Sequence, residues 1–139
     1  MILWTLRFLL AGPLIAAGIL KAVEPVLVLE AAWAEAIPGV WLAMRLLPWA
    51  EIALGILLLS EAPLFWSALA ATATYSLFVG VVAWRLLREG WAPDCGCFGA
   101  LVAPLARWHL LGNIILCAVA LGLVFISIRR HQGPLTAPA

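Results

Sequence analysis

APLFWSALAATATYSLFVGVVAW, residues Ala62 to Trp84, runs without a single charged side chain. A transmembrane helix needs about 20 consecutive, mainly apolar residues. This stretch meets that need and sets the fold class for the rest of the chain. Two more stretches match it. Ile2 to Leu20 is apolar apart from Thr5 and Arg7, and Trp108 to Ile128 is interrupted by the strongly polar His109 and Asn113. A fourth, Gly39 to Leu59, is long enough but holds Arg45, Pro48 and Glu51. Proline removes a backbone donor and crowds the preceding turn, so this span is expected to break or bend near Pro48.

Composition agrees. The chain of 139 residues is 66% hydrophobic and 11% charged, and its mean hydropathy is +1.13. Soluble domains are about 45–50% apolar and about 25% charged. The net charge of +1 has no basic tract behind it, which argues against nucleic acid as a partner. Three cysteines do not make a secreted disulfide framework. The expected fold is all-α: an integral membrane four-helix bundle with a short interfacial helix between spans 1 and 2. It occupies one four-span domain, 1–130, followed by a disordered tail, 131–139.

The interfacial helix is expected in KAVEPVLVLEAAWAEAIP, Lys21 to Pro38, with Pro25 in its first turn and Pro38 at its end. An ordinary extramembrane loop is the alternative. Trp4, Trp41, Trp49, Trp66, Trp84 and Trp108 lie near the expected span ends, where indole favours the headgroup zone; packing between helices is the other role open to them. Arg7 interrupts the first apolar run, which argues for a retained span over a cleaved signal peptide.

Charges in hydrocarbon are costly and usually face the bundle interior. On the first span Arg7, Leu14, Gly18 and Lys21 share one stripe. An interior pair is expected between Glu51 and Lys21 or Arg7, with Arg45 and Arg85 as competitors. Such a pair either lines a polar pocket or only fixes helix packing. His109 reads as interfacial. Asn113, one turn deeper, is placed to hydrogen-bond another helix or a loop.

The connector REGWAPDCGCFGALVAPLAR holds Asp94, Cys95, Gly96, Cys97, Phe98 and Gly99. Cα atoms two residues apart lie about 5.5–7 Å from each other, overlapping the disulfide window of about 4.4–6.8 Å. A Cys95–Cys97 bridge is thus feasible but strained, and strained disulfides exchange readily. So short a loop gives little chain-entropy stabilisation. Three roles compete: thiol–disulfide exchange, zinc or copper binding with His109 or Asp94, and simple packing. Asp94 would raise a nearby thiol pKa, whereas Arg88 and Arg107 would lower one. Cys117, about 13 Å along the last span from Trp108, reads as a small buried apolar residue, with a resolving-thiol role as the alternative.

These features together resemble the MauE family of methylamine utilisation membrane proteins, grouped with DoxX-like redox-associated proteins. The matching residues are Arg7, Gly18-x-x-Lys21 and Pro25; Leu47-Pro48-x-x-Glu51 and Gly55; Cys95-Gly96-Cys97-Phe98-Gly99; and Asn113 in the last span. Gly112 departs from the arginine expected beside that asparagine. The resemblance covers nearly the whole chain. It implies a multi-pass protein of the bacterial inner membrane that supports maturation of methylamine dehydrogenase or a related redox protein. The partners it implies are a thioredoxin-like protein and the small subunit of an amine dehydrogenase, with membrane lipid around the spans. Cys95 and Cys97 would exchange disulfides; Asp94, Gly96, Phe98 and Gly99 would shape their loop; Arg7, Lys21, Glu51 and Asn113 would form the intramembrane polar set. No cofactor and no resident metal is implied. A non-catalytic scaffold or a quinone or small-molecule binder is the rival.

With four spans the termini share one side, and the first and third connectors share the other. Counting Lys and Arg literally puts the cysteine loop in the cytoplasm. Disulfide work belongs on the oxidising, extracytoplasmic face, which is the orientation expected here.

Overall fold

The computed structural model describes residues 1–23, 40–60, 62–89 and 106–132. The expected interfacial helix beyond Val23, the Cys95–Cys97 loop and residues 133–139 of the expected tail lie outside the described residues. Four helices account for nearly all of what is described: α1 (Ile2–Val23), α2 (Val40–Leu59), α3 (Leu64–Glu89) and α4 (Ala106–Gln132). Among the described residues there is no strand. By length and apolarity α1, α3 and α4 can each cross a bilayer. α2 carries Arg45 and Glu51 within its length and packs lengthwise against α1. The protein is an all-helical, multi-pass membrane bundle.

The expected break at Pro48 does not occur: α2 is one helix from Val40 to Leu59 with Pro48 inside it. Losing one N–H costs the ladder a single i→i−4 bond, and the turns on either side retain theirs. α1 likewise contains Pro13 without ending.

α1 packs chiefly on α2, and α3 on α4, so the chain forms two antiparallel hairpins. The registers follow from particular contacts. A Cβ added at Gly18 would stand 2.7 Å from the Pro48 carbonyl oxygen and 2.7 Å from Ile52 Cγ1. One added at Gly55 would meet Ile15 Cγ1 at 2.5 Å and the Ala11 carbonyl at 3.2 Å. The two glycines thus let the α1 and α2 backbones approach closely, the small-residue device of membrane helices. In the second hairpin Ser76 meets Cys117, while Leu64 and Phe65 share a groove with Ser127 and Arg130. A core of Leu10, Ala11, Leu14, Leu58, Ala68, Ala71, Tyr75, Ala120 and Leu123 joins all four helices. Many outward side chains are large and apolar, including Phe8, Leu46, Leu77 and Phe125, as a lipid-facing surface requires.

Backbone and hydroxyl groups in hydrocarbon must find partners within the protein. Thr72 Oγ1 donates to the Ala68 carbonyl at 2.8 Å, Thr74 Oγ1 to Ala70 at 2.9 Å and Ser127 Oγ to Val124 at 2.7 Å. At the end of α2 the Ser60 carbonyl is one of the orphans every helix leaves. Arg7 Nη1 donates to it at 2.6 Å, placing a cation at the negative end of the helix dipole.

Gly18→Ala is expected to destabilise the bundle by about 1–3 kcal/mol, the usual cost of overpacking, because a backbone carbonyl must move. Gly112→Ala meets nothing within 4 Å and should be neutral or stabilise by up to about 1 kcal/mol, the helix preference of alanine over glycine. Unfolding midpoints in the same detergent check this; equal midpoints for the two variants would refute the close approach.

Candidate functional site

The polar centre of the bundle lies where α1 and α2 converge. Side chains on a helix lean toward its N-terminus. Because α1 and α2 run antiparallel, Lys21 leans inward along α1 while Glu51 leans toward it along α2. Lys21 Nζ donates to Glu51 Oε1. The two residues are 3% and 1% exposed, so this is an ion pair wholly withdrawn from solvent. Of the four cations in contention for Glu51, Lys21 holds it. Arg7 shares the stripe but sits toward the other end of α1, on the Ser60 carbonyl. Arg45 is exposed, and the Arg85 side chain lies outside the described residues.

α3 closes the site. The Phe78 ring lies 4.9 Å from Lys21 Nζ, within range for a cation–π contact. Tyr75 is 2% exposed and stacks edge-on against Phe78, their centroids 6.5 Å apart. Its hydroxyl donates to the Leu10 carbonyl at 2.6 Å. That carbonyl neighbours the Leu9 carbonyl, which Pro13 deprives of its helical N–H donor. Among the described residues no donor reaches Glu51 Oε2, although it is buried. Asn113 is also buried, on α4. It lies one turn from Cys117 toward the connector end, in the same half of the bundle as Lys21.

Cys117 packs against the hydrophobic core, as an apolar residue would, but is not fully buried. It is half-buried, with its sulfur 3.2 Å from Ser76 Oγ and 4.0 Å from the Thr72 carbonyl. Asp94, Cys95, Gly96, Cys97, Phe98 and Gly99 fall in the connector outside the described residues, so their geometry does not enter the site. The candidate metal ligands Cys95, Cys97 and Asp94 fall there too. Among the described residues no three His, Cys, Asp or Glu side chains cluster.

Sequence reasoning missed Tyr75 and Phe78. The signal available was Tyr75 itself, the chain's sole tyrosine, set within an uncharged span. A phenol in hydrocarbon needs an acceptor.

The family model for methylamine utilisation protein MauE matches residues 1–126. The chain belongs to the MauE family. That match takes in all of α1, α2 and α3, the connector with Cys95 and Cys97, and most of α4. It also takes in the Lys21–Glu51 pair and Asn113. No curated protein and no solved structure matches the chain.

Lys21→Met should cost about 3–5 kcal/mol of stability by stranding the Glu51 carboxylate. A Lys21→Met, Glu51→Leu double variant should recover most of that loss. A double-mutant cycle read by denaturation in micelles checks the coupling; additive losses would mean that the two charges do not act as a pair. Tyr75→Phe should cost about 0.5–1.5 kcal/mol in the same assay, with no change in helix content by circular dichroism.

Proposed function

We propose that this protein is a membrane-embedded component of thiol–disulfide exchange, with Cys95 and Cys97 as the exchanging pair. It serves maturation of methylamine dehydrogenase or a related extracytoplasmic redox protein. The observation that carries this reading is the family match, whose span of residues 1–126 includes the Cys-Gly-Cys connector. The topology is compatible with it. The α1–α2 and α3–α4 connectors leave the same end of the bundle, and the Lys21–Glu51 pair lies toward that end. A lipid-anchored bundle that carries a glycine-containing dithiol in one of its connectors suits repeated encounters with a soluble thioredoxin-like partner.

The chemistry balances without a cofactor. In the oxidising direction, the Cys95 thiolate attacks a sulfur of a partner disulfide. A mixed disulfide forms and one partner thiolate departs. The Cys97 thiolate then attacks Cys95 Sγ, expelling the second partner thiolate and closing the Cys95–Cys97 bond. Two electrons pass to the partner. The reverse sequence oxidises a partner dithiol. Attack by thiolate through a mixed disulfide is the general route of such exchange. The loop belongs on the extracytoplasmic face, where disulfides persist.

The unpartnered Glu51 Oε2 favours one second reading, a non-catalytic scaffold or small-molecule binder built around the buried pair. Replacing both Cys95 and Cys97 with serine separates the two: an exchanger loses its function and a scaffold retains it.

Cys97→Ser should trap a mixed disulfide through Cys95, visible as a reductant-sensitive adduct on non-reducing gels and by mass spectrometry. The Cys95→Ser, Cys97→Ser variant should form none. Absence of any adduct under both oxidising and reducing conditions would end the exchange model.

A further inference from the structure

A groove of about 530 Å³ opens at the end of the bundle opposite the cysteine connector. The start of α1, the Pro63 turn and the last turns of α4 enclose it. Its lining is mixed: Leu3, Leu64 and Phe65 give it an apolar side, and Ser127 and two arginines, Arg7 from α1 and Arg130 from α4, give it a polar one. No carboxylate belongs to its lining among the described residues. The volume lies within the roughly 300–1,000 Å³ of small-molecule sites.

The surroundings say which phase the groove faces. Trp4 and Trp66 flank this end of the bundle and are 46% and 66% exposed, the placement of indoles at a headgroup boundary. Arg7 already donates to the Ser60 carbonyl and lies 5.2 Å from the centroid of the Trp4 ring. A guanidinium has five N–H donors, and among the described residues the Ser60 carbonyl takes one of Arg7's. Arg130 is exposed and reaches the same groove from the opposite wall. Two fork-shaped cations over a partly apolar cleft at the membrane boundary complement one chemistry closely: a phosphate diester carrying acyl chains.

We propose that this groove seats the headgroup phosphate of an anionic phospholipid between Arg7 and Arg130, with the acyl chains lying along α1 and α3. A soluble phosphate would satisfy the arginines but leave the apolar side uncovered. A zwitterionic lipid brings its own cation, which competes with the arginines for the phosphate. Basic pockets between transmembrane helices are an established mode of anionic lipid recognition. This site lies away from the dithiol connector and stands independently of the exchange reading.

The test uses the full chain in mixed micelles with equal amounts of phosphatidylglycerol and phosphatidylcholine. Native mass spectrometry counts the lipid retained. Wild type should retain phosphatidylglycerol with roughly tenfold preference, the scale of one charge-assisted contact. Arg130→Gln should abolish most of that preference, and Arg130→Lys should retain part of it. Arg130 is exposed and does not belong to the core cluster, so thermal unfolding without added lipid should leave Arg130→Gln at the wild-type midpoint. Equal retention of the two lipids by wild type would overturn the proposal. So would an unchanged preference in both Arg130→Gln and Arg7→Gln. Displacement of the lipid by glycerol phosphate at equal concentration would overturn it as well, since the groove would then serve a soluble anion.

Discussion

Lys21 and Glu51 neutralise each other where neither could remain alone. A lone charge in hydrocarbon costs several kcal/mol on most scales, and removing one partner of a buried pair leaves the other uncompensated. The pair therefore constrains everything around it. It requires α1 and α2 to be antiparallel, adjacent and in one register. Gly18 and Gly55 make that register reachable, because any side chain at either position would meet the facing helix. Phe78 then offers its ring to the ammonium from α3, which ties the second hairpin to the first.

The remaining polar groups follow the same economy. The hydroxyls of Ser67, Thr72, Thr74 and Ser127 bond back to their own helices, while Ser76 meets Cys117 across the second hairpin. Arg7 satisfies the end of α2. Tyr75 reaches across to α1 at the turn that Pro13 disturbs. Glu51 Oε2 stands apart among the described residues as a buried oxygen without a donor. The arginine-lined groove lies at the end of the bundle opposite the one where the α3–α4 connector attaches.

Much of the fold was legible from the chain itself, and for physical reasons. A long uncharged run has few soluble explanations, so α1, α3 and α4 announced themselves. Of the break or bend expected at Pro48, the break does not occur, because the turns on either side carry the helix past it. The buried pair was legible only as a set of candidates. A 100° step places Arg7 and Lys21 on one stripe, but it does not say how far along the neighbouring helix each will land. Register between helices comes from contacts such as Gly18 on Pro48, which are three-dimensional facts. Tyr75 escaped because a single phenol hardly perturbs hydropathy. The Cys-Gly-Cys motif stands out in the sequence through its spacing and its glycine; it lies outside the described residues, and the family match spans it.

The two-hairpin layout also bears on how such a chain enters a membrane. Both members of the ion pair belong to the first hairpin, so the charge of Lys21 can be cancelled as soon as α2 has been synthesised. The nascent half-bundle can then leave the translocon with no naked cation at that site, before α3 and α4 have been made. The second hairpin brings Tyr75 and Phe78 to a surface already electrically quiet. In this layout the partner that cancels the Lys21 charge is made before either helix of the second hairpin.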